Sequence, residues 1–245
     1  PKSDRLLDCG AFHVRDRYGQ QYRYRRTVLQ TRDRPECARR MIGRSLFASS
    51  ADDPDTVSLH QARLDHVFQC MKQAGARRVL DLGCGSGALL ARLVHEPQFE
   101  QIIGLEVSGE SLIEARDALT AWQRGPQARL RFVRGSYLEN HDALADFDAA
   151  AMVETIEHIK PERLSRLESA VFGGMRPRLV CVTTPNREYN PLFNLWPGQH
   201  REPSHEFEWD RCRFRRWATG VARRNGYRVT FDGIGDWHPE LGHPT

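Results

Sequence analysis

Short apolar runs of strand length alternate along the chain with longer stretches whose apolar residues recur at helical spacing. Residues 59–74 carry Leu64, Val67, Phe68 and Met71 on one helical stripe, and Gly75 follows as a stop. Residues 78–82, Arg-Val-Leu-Asp-Leu, predict a first strand, followed by a glycine loop and a helix over 88–95. Residues 101–106 predict a second strand, and the next stretch a helix from 111 to about 122. Further strands are expected over 130–133, 147–153 and 178–183. Repeated strand–helix units imply a parallel sheet covered on both faces, so the expected fold class is α/β.

Residues 1–55 break this rhythm. Tyr18, Tyr22 and Tyr24 are interleaved with Arg23, Arg25 and Arg26, with Arg32, Arg34, Arg39, Arg40 and Arg44 close behind. Such a pattern suits base stacking and phosphate contact, and equally suits a surface strand or the tail of an upstream domain. Residues 49–55, rich in Ser, Asp and Pro, look like a linker. The expected organisation is a basic N-terminal extension over 1–55 and one domain over 56–245.

Composition narrows the partners. Lys plus Arg number 36 against 32 Asp plus Glu, a net charge of +4, and only Lys2, Lys72 and Lys160 are lysines. Arginine is the better fork for phosphate, which leans mildly toward a nucleic-acid partner. No apolar run approaches the ~20 residues a membrane helix needs, so no membrane partner is expected. Six cysteines (Cys9, Cys37, Cys70, Cys84, Cys181, Cys212) contain no C-x-x-C pair, and no apolar leader follows the charged first residues. A reducing, cytoplasmic setting is the expectation.

The loop after the first strand carries the first candidate chemistry. Gly83, Gly85 and Gly87 let the backbone approach a ligand, and Glu106 ends the next strand about 20 residues on, where a carboxylate can accept both ribose hydroxyls of a nucleoside cofactor. Asp81 stands just before the loop. A carboxylate there opposes a diphosphate and suits the ammonium of an amino acid, as in S-adenosyl-L-methionine. Asp81-Leu-Gly-Cys-Gly-Ser-Gly87 resembles the first motif of class I S-adenosylmethionine-dependent methyltransferases, which have a Rossmann-like doubly wound sheet. Glu106 resembles their second motif, and Gly135-Ser136 sits where that fold contacts adenine.

The fourth strand runs into Glu154-Thr-Ile-Glu157-His158. If a helix starts here, the three side chains are three and four residues apart on one face, and two carboxylates with an imidazole suit a divalent metal. A solvated first helical turn would show the same residues. Two later segments, Thr183-Thr-Pro-Asn-Arg-Glu-Tyr-Asn-Pro and His205-Glu-Phe-Glu-Trp209, extend the pattern. From about Leu59 to Thr245 the chain resembles the terminal small-RNA 2′-O-methyltransferases of plants, animals and bacteria, five motifs falling in order. The resemblance implies that Glu154, Glu157, His158 and His205 are the metal ligands and the catalytic set, holding Mg²⁺ or Mn²⁺ on the 2′- and 3′-oxygens of the last nucleotide. It implies Arg63 and Asn186 as contacts to the RNA 3′ end. Whether His158 or His205 ligates or accepts the proton stays open.

The chain departs from the family in three places. Ala62 stands where the family has glutamine, before the matching Arg63, and Arg201-Glu-Pro-Ser-His205 replaces Arg-His-x-Asp-His. Relatives run past the Gly-x-Pro-Thr word into one more strand, expected here beyond Thr245. The few lysines and the N-terminal segment incline the reading to the bacterial branch, which works beside a polynucleotide kinase–phosphatase in RNA repair. The rivals are a methyltransferase acting on a small molecule or protein, and a silent RNA-binding scaffold. Trp209, Phe214 and Trp217 read as core, while Arg211, Arg213, Arg215, Arg216, Arg223 and Arg224 suit either an RNA backbone or a solvated helix face.

Overall fold

A seven-stranded sheet with the order β4-β3-β2-β5-β6-β1-β7 organises the computed structural model, which describes residues 11–15, 54–125, 128–193, 195–196 and 198–245. The strands are β1 (Ala11–Arg15), β2 (Arg78–Leu82), β3 (Gln101–Glu106), β4 (Leu130–Arg134), β5 (Ala149–Val153), β6 (Leu179–Thr183) and β7 (Arg228–Asp232). From β2 to β6 all pairings are parallel. The chain winds outward through β3 and β4, then returns to lay β5 and β6 on the other side of β2. That reversal opens a crevice beyond the carboxyl ends of β2 and β5.

Alternate residues of each central strand feed two cores. Leu80, Leu82, Ala150, Met152, Val180 and Val182 face one cluster, with Phe172, Phe214 and Val221. Val79, Ala149, Ala151, Leu179 and Cys181 face the other, where α1 (Pro54–Gln73) and α2 (Ala88–Leu93) contribute Leu64, Met71, Leu90 and Leu93. Coverage on both faces is why β5 and β6 read as unbroken apolar runs rather than alternating ones.

Five strands lie where the apolar runs predicted them, with shifts of one or two residues at their ends. The helix expected to reach about 122 is instead α3 (Gly109–Ala118) followed by a 3₁₀ turn, Thr120–Trp122. Its start is set by Ser108, whose hydroxyl accepts the Ser111 amide (3.3 Å) as an N-cap. Helix α1 begins at Pro54, so the boundary expected at 55 falls inside a helix. Proline is well tolerated at a first helical turn, where its missing N–H has no partner to lose.

Two strands were not expected. β7 alternates buried and open positions too weakly to stand out, and β1 comes from the segment read as an extension. β1 lies antiparallel to both β6 and β7, filling the position between them. Residues 242–245 loop back on the segment before them, where Thr245 and Ile234 exchange backbone hydrogen bonds; the strand expected beyond Thr245 lies outside the described residues. The tyrosine–arginine stretch over 18–26 and the linker positions 49–53 lie outside the described residues.

Phe214 and Trp209 are buried, and Trp217 packs beside Trp209 with ring centroids 5.7 Å apart, so these aromatics belong to the core. They sit on or beside α5 (Arg211–Asn225). Several of its arginines are tied to the fold: Arg211 to Glu188, Arg224 to Glu168, Arg213 over Trp209 and Arg215 over Phe231.

A titratable contact joins the two sides of this assembly. His66 of α1 lies 3.6 Å from the Asp232 carboxylate of β7. Asp232, with Cys70 behind it, raises the imidazole from 6.5 to about 9. A raised histidine gives its full stabilisation below the unfolded value and loses it as pH climbs through the folded one. Thermal midpoints of wild type and Asp232→Asn should therefore differ most near pH 6 and converge above about 9. A constant difference across that range would discard the contact as a titrating pair.

Candidate functional site

The β2–α2 loop is built on positive-φ glycines, and Gly83 shows why. A Cβ there would stand 2.8 Å from Thr155 Cγ2 and 3.3 Å from the Tyr137 ring. Only glycine lets the loop pass beneath the end of β5. The Gly83 and Cys84 amides donate to the Leu105 carbonyl (2.8 and 3.2 Å), pinning the loop to β3. At the end of that strand Glu106 accepts the Gly85 amide on Oε2 (3.0 Å) and the Ser108 amide on Oε1 (2.8 Å). Its carboxylate is thus oriented before any ligand arrives.

Asp81 is buried, and its Oδ2 has no hydrogen-bond partner within the protein. Burial, reinforced by Glu106, pushes its carboxyl up to about 7. A buried carboxylate left without a cation is costly, so a ligand ammonium at this place would compensate it. Glu106, Gly83 and Ser136 line one cleft of ≈ 490 Å³ together with Tyr137, Glu154 and His158. His141, which carried no sequence pattern, holds the Ser136 carbonyl at 2.9 Å.

At the end of β5 the chain does not enter a helix. Glu154 takes a left-handed backbone (φ 51), its amide donating to both the carbonyl and the hydroxyl of Thr183 (3.2 and 3.1 Å). A single 3₁₀ turn, Ile156–His158, follows. Ile156 and Glu157 are buried, so the three polar side chains do not share a solvated helical face. The reversal at Glu154 sends Glu157 inward instead.

There it meets the second segment. The Glu206 amide donates to the Glu157 carbonyl (2.8 Å), and His158 Nδ1 lies 3.3 Å from the Ser204 carbonyl. Ligand atoms of Glu157, His158 and His205 all lie within 4.8 Å of one another. Glu157 Oε2 accepts the Thr184 hydroxyl (3.2 Å), while Oε1 is buried without a protein partner. His205 Nδ1 lies 2.7 Å from Glu208 Oε1. Acceptors on both Nδ1 atoms place the protons there, leaving both Nε2 atoms as donors to a cation.

Electrostatics favour the same occupant. Burial, then Glu154, raises the Glu157 carboxyl well above the usual range, and burial, then His205, lowers His158. Burial also disfavours an ionised Glu208, but bonds from His205, Asn190 and the Arg201 amide outweigh it and hold it at about 2. A permanent carboxylate therefore orients His205. One buried carboxylate and two imidazoles fit a divalent cation of borderline hardness.

Glu154, the fourth expected ligand, falls outside the set whose ligand atoms lie within 4.8 Å, but it is close enough for its charge to act on Glu157 and His158. Its Oε2 lies 3.1 Å from Arg63 Nη1, and its Oε1 is buried without a protein partner. Arg63 and Asn186, expected at the RNA end, are themselves buried and do not line the cleft. Arg63 Nε donates to the Thr245 hydroxyl (2.6 Å), and Asn186 Nδ2 to the His243 carbonyl (3.1 Å). These atoms meet partners inside the protein rather than facing the cleft. Glu208, Thr184 and Tyr137 were not anticipated. The His205…Glu208 spacing was a usable signal for the first; nothing local marks the other two.

The family described as a methyltransferase domain matches residues 79–178. The methyltransferase domain of bacterial CtHen1 is 38% identical, with a TM-score of 0.68 over 76% of this chain and 95% of that domain. This chain belongs to the Hen1 methyltransferase family. Its fold is class I: the small RNA methyltransferase HEN1 aligns with a TM-score of 0.72 at 28% identity, over 82% of this chain and 26% of that one. The small RNA 2′-O-methyltransferase of Mus musculus is 33% identical over 183 residues, 72% of this chain and 46% of the mouse protein. The Hen1-family chain spans about half the length of the curated relatives it matches. Among its described residues no helix is long and apolar enough to cross a membrane.

Proposed function

We propose that this Hen1-family domain transfers a methyl group from S-adenosyl-L-methionine to the 2′-oxygen of the 3′-terminal nucleotide of RNA, with a divalent cation, Mg²⁺ or Mn²⁺, at Glu157, His158 and His205. One observation carries the reading: Glu106 and Gly83 of the nucleoside-binding half line the same cleft as His158 of the cation cluster and the neighbouring Glu154. The naming of the mouse and Tetrahymena thermophila relatives as small RNA 2′-O-methyltransferases supports the acceptor.

In this reading Asp81 takes the ammonium of the methyl donor, Glu106 its ribose hydroxyls, and the Ser136 turn its adenine. The donor's sulfonium supplies an electrophilic methyl. The cation supplies Lewis acidity, which brings a ribose hydroxyl within reach of deprotonation near neutral pH. The chain's own contribution is position: one cleft holds donor and acceptor in line, converting a two-body encounter into a local one. His158 Nε2 and His205 Nε2 are the atoms free either to ligate or to take the hydroxyl proton. A terminal ribose offers two vicinal hydroxyls to the cluster, so selection for an end needs no base contact.

The likeness to the bacterial domain, 38% against 33% for the mouse protein, supports a bacterial setting, which we read as RNA repair beside a polynucleotide kinase–phosphatase. The test of the chemistry is methyl transfer from labelled S-adenosylmethionine to a short RNA with Mn²⁺ or with EDTA. RNAs ending in a 2′-deoxy or a 3′-phosphate nucleotide run alongside. Labelling of the free-ended RNA alone, and only with metal, is the expected result. Labelling that survives EDTA removes the cation from the reaction, and no labelling of any RNA by a cofactor-loaded domain points to another acceptor.

A further inference from the structure

Residues 242–245 form a strap pinned to the turn over 233–235 and to the segment after β6. Thr245 exchanges backbone bonds with Ile234 (2.8 and 3.3 Å), and Asn186 donates its amide to the Pro244 carbonyl and its Nδ2 to the His243 carbonyl (both 3.1 Å). The Tyr189 hydroxyl donates to the Gly242 carbonyl, and His243 Nδ1 meets the Gly235 carbonyl at 2.8 Å. The strap lies so close to the preceding turn that a Cβ on Gly233 would stand 2.1 Å from His243, and one on Gly235 2.6 Å from Pro244.

This much anchoring ends in one interior hydroxyl. Thr245 is 0% exposed, and its Oγ1 accepts the Arg63 Nε–H at 2.6 Å. From there Arg63 Nη1 reaches Glu154 Oε2 at 3.1 Å. An arginine fork aims two donors in a fixed plane, so fixing Nε fixes where the other arm can hold a carboxylate. Glu154 also needs holding, because its left-handed backbone is rarely adopted by residues with side chains. With Oε2 engaged, Oε1 is the atom left buried and unpartnered.

We propose that Thr245 is a positioning residue of the cation centre: through Arg63 it sets where the Glu154 carboxylate stands, and Asn186 sets where Thr245 stands. The inference rests on the cation reading above and deepens it. It also gives the Thr184-Pro-Asn186 word a physical task. Thr184 orients Glu157 directly, while Asn186, two residues on, orients Glu154 through the strap. Arg63 is then a positioning group rather than an RNA contact.

The test is Mn²⁺ titration of the full 245-residue chain without RNA, for wild type, Thr245→Val and Thr245→Ser, with S-adenosylhomocysteine affinity and thermal midpoint measured in parallel. Thr245→Val should weaken Mn²⁺ about tenfold or more, as loss of groups that orient metal ligands does. Thr245→Ser should restore it, with cofactor affinity and midpoint unchanged in both. Wild-type Mn²⁺ affinity in Thr245→Val overturns the proposal. So does a loss shared equally by cofactor affinity and midpoint, which would make the strap only a brace. If Thr245→Val fails to fold, Arg63→Lys enters the same titration, and undiminished Mn²⁺ affinity there overturns the proposal instead. A wild type that binds no Mn²⁺ brings down the cation reading itself, and this inference with it.

Discussion

If the proposed function holds, replacing His205 by alanine should lower methyl transfer to RNA by about three orders of magnitude, the size expected when several kcal/mol of Lewis-acid stabilisation is lost at tenfold per 1.36 kcal/mol. Cofactor affinity stays at the wild-type value, because His205 contacts Glu208 and His158 and does not line the cleft shared with Glu106. The two effects separate because the cluster and the nucleoside-binding loop are carried on different segments, the former after β5 and after β6, the latter after β2 and β3. His158→Ala should behave alike in turnover, although His158 does line the cleft and its cofactor affinity is the less clean control. Single-turnover rates with saturating RNA, together with calorimetric titration of S-adenosylhomocysteine, decide the matter. Parallel losses of rate and cofactor affinity would mean that the histidines support the fold.

The second large effect sits at the buried acid just before the glycine loop. Asp81→Asn should weaken S-adenosylmethionine binding by roughly 10- to 100-fold, the range for losing a hydrogen bond to a charged group (about 1.5–3 kcal/mol). Its pH signature is sharper than its size. With its carboxyl pushed up to about 7, Asp81 is part-protonated at neutral pH in the free protein. An ammonium ligand favours the ionised form, so affinity should rise as pH climbs through about 7 and fall again once the ligand amine deprotonates, near 8. Asp81→Asn should flatten the acid limb. A wild type whose affinity is level from pH 6 to 8 would show that Asp81 does not meet the ammonium.

Both experiments use residues that are legible without a structure, and the reason is local. The Asp81–Gly87 loop is a run of seven positions whose glycines and acid are dictated by a turn and a ligand beside it, and Glu106 follows at the spacing of one strand–helix unit. The same holds for β2, β3, β5 and β6, buried on both faces and so written as largely apolar runs. Where the burial signal is dilute, the reading failed. β7 has no fully buried position, and β1 is five residues inside a polar segment whose partners lie far along the chain. Neither announces itself, because pairing with β6, rather than any local preference, makes β1 a strand.

The cation site divides in the same way. That Glu157, His158 and His205 are the proposed ligands follows from residue type for the first two and from the family resemblance for His205. That they converge follows from two backbone-level stitches, Glu206 to Glu157 and His158 to Ser204. The helix considered at Glu154 rested on three- and four-residue spacing, whereas the Glu154 amide donates to Thr183 and the backbone takes a left-handed turn. Arg63 and Asn186 were placed at the substrate by likeness alone, yet burial directs their polar groups toward Thr245 and His243.

By itself the sequence determined the α/β class, the glycine loop with Asp81 and Glu106, and the chemical character of the ligand set. Those features depend on neighbours within one turn or one strand, where hydrophobic period and backbone sterics act. The tertiary structure alone decided which oxygen of Glu154 is held, which nitrogens of His158 and His205 remain free, and which buried groups serve the site through others. Each of those outcomes is a competition among polar partners brought together by packing. Once water is excluded, a carboxylate or imidazole must take whichever partner the fold places within about 3 Å.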